Sequence, residues 1–336
     1  MSQAKAGPVY HRSQQYKLVD VYKIDYLSIF TQMVRKQNVG RHYNPQARYI
    51  KFRNELLSFV EYLAEKLEYS QCTYYLAIGV LDAFLSQHAV DKSQIKLVCF
   101  MALQVAAKME EHNEKVPEVQ TIRKLFQNKF DKEDINACET MIAKSLNYNF
   151  NLKTPFAFIE HFFSKGVVSD FDLGRISAKL TTDKLSSYER AVIRFLDVST
   201  LDYDFYAFDP ITIAAACILC ARRLEKYNVL WPEDLVRLTG LNYEQIRECA
   251  DLIYCQFKLI NAKQSSDKNK SKADKKTAES TNLNLKNESS VDTIDVSVHE
   301  KTKQSKMVVS ELVVFDTDEE EPAKNPAKYI TSITQF

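Results

Sequence analysis

Apolar positions recur at helical spacing along most of the first 260 residues, and each stripe predicts a helix. Between Tyr22 and Arg35, one face carries Tyr22, Tyr26, Phe30 and Met33, which predicts a helix packed outside the main bundle. A polar connection, QNVGRHYNPQ, follows. Five helical segments then come in close order. The first, about Tyr49–Leu67, aligns Phe52, Leu56, Phe59 and Leu63, and the second, about Thr73–His88, aligns Leu76, Val80, Phe84 and Leu85. The third contains LVCFMALQVAAKMEE (Leu97–Glu111), apolar nearly all round until Lys108, Glu110 and Glu111. A helix of that kind belongs inside a bundle, and this one is too short to span a membrane, which takes roughly 20 apolar residues. Asp91 or Ser93 is its expected N-cap. The fourth segment starts after Pro117, as Pro favours, and the fifth, about Lys132–Leu146, aligns Ile135, Cys138, Ile142 and Leu146.

After Pro155 a second helical set is predicted: Phe156–Phe163, about Phe171–Lys184, Tyr188–Thr200, about Pro210–Lys226, Pro232–Leu238 and Tyr243–Ile260. Its fourth member, ITIAAACILCARRL, is again apolar nearly all round. The two halves therefore share a plan: a central small-residue-rich helix, a short Pro-started helix, then an amphipathic one.

From about Lys263 the chain turns rich in Lys, Ser and Asn, with too little apolar surface to offset ordering entropy. The predicted organisation is a flexible N-terminus (1–21), a first helical domain with its preceding helix (22–152), a second (153–262) and a disordered tail (263–336). Within the tail, MVVSELVVFDTDEEEP (Met307–Pro322) is an apolar cluster beside an acidic run, a sticky island or a short partner-binding segment. KNKSKADKK (268–276) reads equally as an import patch or a solvated linker.

Composition narrows the function classes. A net charge of +1 gives no basic field for nucleic acid. The N-terminus lacks an apolar signal region, and the seven cysteines lie mostly in apolar helical patterns, as reduced core thiols do. A nuclear or cytoplasmic protein, with no membrane contact, is expected. Six glycines in 336 residues leave little for phosphate-cradling loops, and no nucleotide, zinc-hydrolase or nucleophile-elbow motif occurs. Cys217 and Cys220 have CxxC spacing but no second pair, and read as core thiols. No enzyme, metal or cofactor is expected.

Charges inside apolar stripes are the candidate chemistry. Arg53 is in register with Leu56 and Val60, Asp82 lies between Ile78 and Leu85, and Glu139 is in register with Ile135 and Ile142. A lone buried charge costs several kcal/mol, so such residues are paired or functional. Opposite signs on consecutive helices predict an Arg53–Asp82 pair that fixes the packing of those two helices. Lys108 and Glu139 fall near one end of the bundle.

Arg53, Asp82, Leu97, Lys108 with Glu110 and Glu111, and Glu139, in this order and at these helical stations, resemble the cyclin box. The flanks YLAIGVLDAFLS, ALQVAAKMEE and KSLNYNFNLKTPFAFIEHFF resemble it as well, and YNPQARYIKFRNELL is most similar to J-type cyclins. The resemblance covers about residues 22–262. It implies an all-α chain of two tandem five-helix cyclin folds. It also implies a heterodimer with a cyclin-dependent protein kinase, which the chain activates without an active site of its own. Lys108, Glu110, Glu111 and Glu139 would bind the kinase. Lys108 and Glu139 would face the kinase helix that carries its catalytic-site Glu. Phe52, Leu56 and Phe59, with Lys96, correspond to a patch that docks substrates or inhibitors in mitotic and S-phase cyclins. Glu55 stands where that patch prefers an apolar residue, and Lys96 where it has Gln. The alternative is a cyclin-fold transcription factor or adaptor, against which stand the near-neutral charge and the lack of a zinc ribbon.

Overall fold

The computed structural model describes residues 26–165 and 178–281. Its described residues form eleven α-helices and three short 3₁₀ turns. Helix α1 (Tyr26–Lys36) precedes a first box of five helices: α2 (Arg53–Lys66), α3 (Gln71–Leu85), α4 (Lys92–Glu110), α5 (Val119–Leu125) and α6 (Lys132–Ser145). The second set is α7 (Pro155–Lys165), α8 (Ala178–Leu201), α9 (Pro210–Leu224), α10 (Glu233–Thr239) and α11 (Tyr243–Thr281).

Each box is built round its most apolar helix. In α4 every residue from Leu97 to Ala107 is buried. With no polar face to show to water, α4 has to be enclosed by its neighbours, and α2, α3, α5 and α6 do this. In the second box α9 takes the same position, buried from Pro210 to Arg222 except at Thr212. The caps agree with local chemistry. Ser70 accepts from the Thr73 N–H to start α3, and Asp131 and Asp134 form a reciprocal capping box on α6. Asp91 occupies the N-cap position of α4, without a side-chain cap bond. Gly240, at φ +70°, closes α10 in the left-handed conformation.

The two boxes share a packed boundary. Met33 of α1, Leu57 of α2 and Tyr75 and Ile78 of α3 belong to the core of the second box. Tyr75 stacks on Phe156 at 4.8 Å and donates to Asp197 Oδ1 at 2.5 Å. Leu152, in the connection between boxes, sits against two glycines. A Cβ on Gly40 (φ +78°) would lie 2.5 Å from Leu152 Cδ2, and one on Gly79 would lie 3.6 Å from Cδ1.

Three expectations are corrected or bounded. The helices predicted at Phe171–Lys184 and Tyr188–Thr200 are joined in α8, because no Pro or Gly between residues 178 and 201 stops the helix; residues 171–177 lie outside the described part. Disorder was expected from 263, yet α11 continues to Thr281. Extension adds residues to an existing helix without the nucleation cost, and Lys, Ala, Glu and Gln are good helix formers. The predicted flexible N-terminus, the tail beyond 281 and the Met307–Pro322 segment lie outside the described residues.

Candidate functional site

Lys108 lies in the last turn of α4, where that helix leaves the core, and Glu139 projects from α6, packed alongside. The Lys108 ammonium donates directly to Glu139 Oε1. Both side chains stay in solvent reach, at 45% and 32% exposure. The pair borders a groove of about 410 Å³ lined by Gln104, Asn113, Val116, Pro117, Val119, Ile122 and Ile135, among others. Its walls are largely apolar, and its charged lining is Lys108 with the carboxylates Glu118 and Glu139. Chemically, such a groove offers apolar contact beside a charged pair.

Glu110 and Glu111 are not part of that point. Two residues along an α-helix turn the side chain by about 200°, so Glu110 lies away from Lys108. It is exposed and lies beside Cys72, whose thiol is pushed up by burial and then by Glu110. Glu111 turns inward, with its side chain only 7% exposed. Its Oε1 accepts the Ser70 N–H at 2.6 Å and the Thr73 hydroxyl at 2.7 Å. Burial opposes its charge, but these donors and Lys115 outweigh that and hold the carboxyl below its ordinary value.

Arg53 and Asp82 are buried at 3% and 0% side-chain exposure. They form a bidentate pair, Nε to Oδ1 at 2.8 Å and Nη2 to Oδ2 at 2.7 Å. Tyr49 also donates to Asp82 Oδ1, at 2.9 Å. The remaining guanidinium nitrogen, Nη1, donates to Thr200 O at 2.6 Å, at the end of α8. The pair therefore joins the two boxes, beyond the two-helix packing role expected for it.

The predicted docking patch is divided by burial. Phe52 is 41% exposed and Leu56 only 4%. Phe59 and Lys96 are half-buried, and Glu55 is exposed. Phe52 is thus the most exposed apolar side chain of this set. Leu56 faces the core because it lies one turn beyond Arg53 on the same buried side of α2. Cys217 and Cys220 are fully buried, and burial raises both thiols, Cys220 to about 12. Among the described residues no His, Cys, Asp or Glu group could hold a metal ion, and no helix is long and apolar enough to cross a membrane.

Residues 25–151 match the family described as "Cyclin, N-terminal domain", and residues 153–290 match "Cyclin, C-terminal domain". The chain belongs to the cyclin family. Cyclins regulate kinases and are not themselves catalysts. Similar relatives include Cyclin-J of Xenopus laevis, 24% identical over 62% of this chain and 56% of that protein. Cyclin-B1-5 of Oryza sativa subsp. japonica is 28% identical over 66% of this chain and 44% of that protein. The chain thus spans about half the length of these relatives. A viral cyclin from herpesvirus saimiri is similar in structure at TM-score 0.47 and 14% identity, over 72% of this chain and 95% of that one.

Sequence reasoning missed several residues of this cyclin. Gln104 is the one strongly polar residue inside the apolar run of α4, which was the available signal. Its Nε2 donates to Pro117 O at 2.8 Å across the groove floor. Arg41 donates to Phe208 O at 2.9 Å and Tyr206 O at 3.2 Å, and lies 4.7 Å over the Tyr206 ring. These contacts hold the 37–44 connection on the second box. They join positions far apart in the chain, so no local pattern announced them.

Proposed function

We propose that this cyclin is the regulatory subunit of a heterodimer with a cyclin-dependent serine/threonine protein kinase, which it binds and activates. The Lys108–Glu139 pair at the rim of the apolar groove carries the reading. A kinase needs the ion pair between its β3 Lys and the Glu of its αC helix. A rigid surface pressing on that helix sets this pair, so the cyclin contributes position and no chemistry. A role in cell-cycle control, in the nucleus or cytoplasm, goes with this reading, as does docking of substrates or inhibitors at Phe52 and its neighbours.

The test is affinity purification of the full chain, identification of the bound kinase, and a kinase assay with and without the chain. The wild type is expected to recover a cyclin-dependent kinase and raise its activity. The Lys108→Ala/Glu139→Ala variant is expected to lose both effects with its helical content unchanged. Undiminished kinase binding by that variant would remove the proposed interface, and salt-sensitive duplex DNA binding by the wild type would favour the adaptor reading.

A further inference from the structure

We propose that Glu111 is a positioning residue for the kinase-facing end of the first box: without touching the partner, it clamps the start of α3 to the end of α4 and so fixes Lys108 and the groove rim. This rests on the kinase-binding reading above.

Glu111 pins two helices at once. Its backbone N–H donates to Ala107 O at 2.9 Å and closes α4. Its carboxylate meanwhile caps α3 through the Ser70 N–H and the Thr73 hydroxyl. An anion at a helix N-terminus pairs with unsatisfied amides and the positive end of the dipole, and here the anion comes from a different helix. Lys115 completes the clasp. Its ammonium lies 3.7 Å from Glu111 Oε2 and donates to Glu68 O at 3.1 Å. The Tyr69 hydroxyl donates to Lys115 O at 3.3 Å.

The placement of the clasp connects it to the site. Lys108 lies one turn before Glu111, while Asn113, Val116 and Pro117 of the groove follow it. Residues 112–115 are exposed and gain no rigidity from core packing. That segment is held at one end by Glu111, along its length by Lys115 on Glu68 O and the Tyr69 hydroxyl, and at the other end by Gln104, which donates to Pro117 O. The core run Leu97–Ala107 is buried independently of the clasp. Loosening Glu111 therefore loosens the last turn of α4, with Lys108, and the rim that follows it, while the buried run Leu97–Ala107 stays in place.

The experiment compares the full-length wild type with Glu111→Ala and Glu111→Gln. Amide hydrogen exchange of the free protein gives one readout. Affinity for the kinase subunit that co-purifies with the wild type gives the other, with Lys108→Ala as a reference. In Glu111→Ala, exchange at residues 70–73 and 111–116 is expected to rise about 2- to 30-fold, as for a lost cap, with 97–106 unchanged. Kinase affinity is expected to fall roughly 2- to 30-fold, the range for residues acting through others. Gln keeps the acceptor oxygen and is expected to restore most of both. Unchanged exchange, or looser exchange with unchanged affinity while Lys108→Ala still weakens binding, overturns the role of Glu111 and leaves the kinase reading standing. A wild type that captures no kinase overturns the kinase reading and this inference with it, whereas an undiminished affinity in Lys108→Ala removes the Lys108 interface, and with it this inference, and leaves kinase binding standing.

Discussion

Arg53 of the first box donates to the carbonyl of Thr200 in the second, at 2.6 Å, while the same guanidinium grips Asp82 with two parallel bonds. Removing Arg53 leaves the buried Asp82 carboxylate with the Tyr49 hydroxyl but without its cation, and takes the Arg53 donor from Thr200 O. Arg53→Ala is expected to destabilise the fold by about 3–5 kcal/mol, the cost of breaking a buried pair. Chemical denaturation checks this. Arg53→Lys is expected to rescue little, because an ammonium cannot reproduce the planar fork. A midpoint near that of the wild type for Arg53→Ala would contradict the assignment.

The exposed Lys108–Glu139 pair predicts the opposite balance. Such pairs contribute about 0–1 kcal/mol to stability, so Lys108→Ala/Glu139→Ala is expected to melt close to the wild type. Lys108→Glu with Glu139→Lys rebuilds the pair with reversed polarity. Thermal stability is expected to survive the swap and kinase binding to be lost, because the partner meets the charges in exchanged positions.

Glu111 predicts an acid-sensitive clasp. Its carboxyl in the fold lies below the ordinary value of 4.5, so the folded state binds its proton less readily than the unfolded chain does. Its contribution is present above the unfolded value and is lost as pH falls through the folded one. Melting curves from pH 6 down to pH 3 are expected to decline less steeply in Glu111→Ala than in the wild type. Parallel declines would show that this carboxylate makes no such contribution.

Asp197 predicts the reverse sign. Burial raises its pKa in the fold, and the Tyr75 hydroxyl offsets only part of that. Ionised Asp197 therefore opposes folding above its folded pKa, and the penalty fades as pH drops through that value. Asn keeps an acceptor for Tyr75 without the charge. Asp197→Asn is expected to raise Tm at neutral pH by roughly 2–4 °C, the shift that about 1 kcal/mol produces at this size. The gain is expected to shrink at acid pH. A lower Tm for Asp197→Asn at pH 7 would show that the charge is needed.

The helical plan was legible because α4 and α9 are apolar all round and their neighbours carry 3.6-residue stripes. Arg53, Asp82, Lys108 and Glu139 were legible as charges out of place in those stripes. Direction was harder to read. Glu110 and Glu111 stand next to Lys108 in sequence, but the turn of the helix sends one towards Cys72 and the other into the α3 cap. Leu56 matches the docking-patch pattern in sequence, but its register with Arg53 places it in the core. The reach of Arg53 to Thr200 joins residues separated by most of two boxes, and no local periodicity encodes it.

Leu152 has a mechanical consequence. It is held in a notch made by Gly40, in the connection before α2, and Gly79, in the middle of α3. The notch anchors the connection to the first box, and the Arg53 bond to Thr200 O and the Tyr75 bond to Asp197 tie the second box to it, so a hinge there would have to break these bonds. Gly40→Ala is expected to cost about 1–3 kcal/mol, as overpacking does, and to be partly relieved by Leu152→Ala in a double-mutant cycle. A surface carried on boxes tied in this way is assembled before any visitor arrives. Association then incurs no entropy loss for ordering one box against the other, and its speed is governed by collision and orientation rather than by a preceding domain rearrangement.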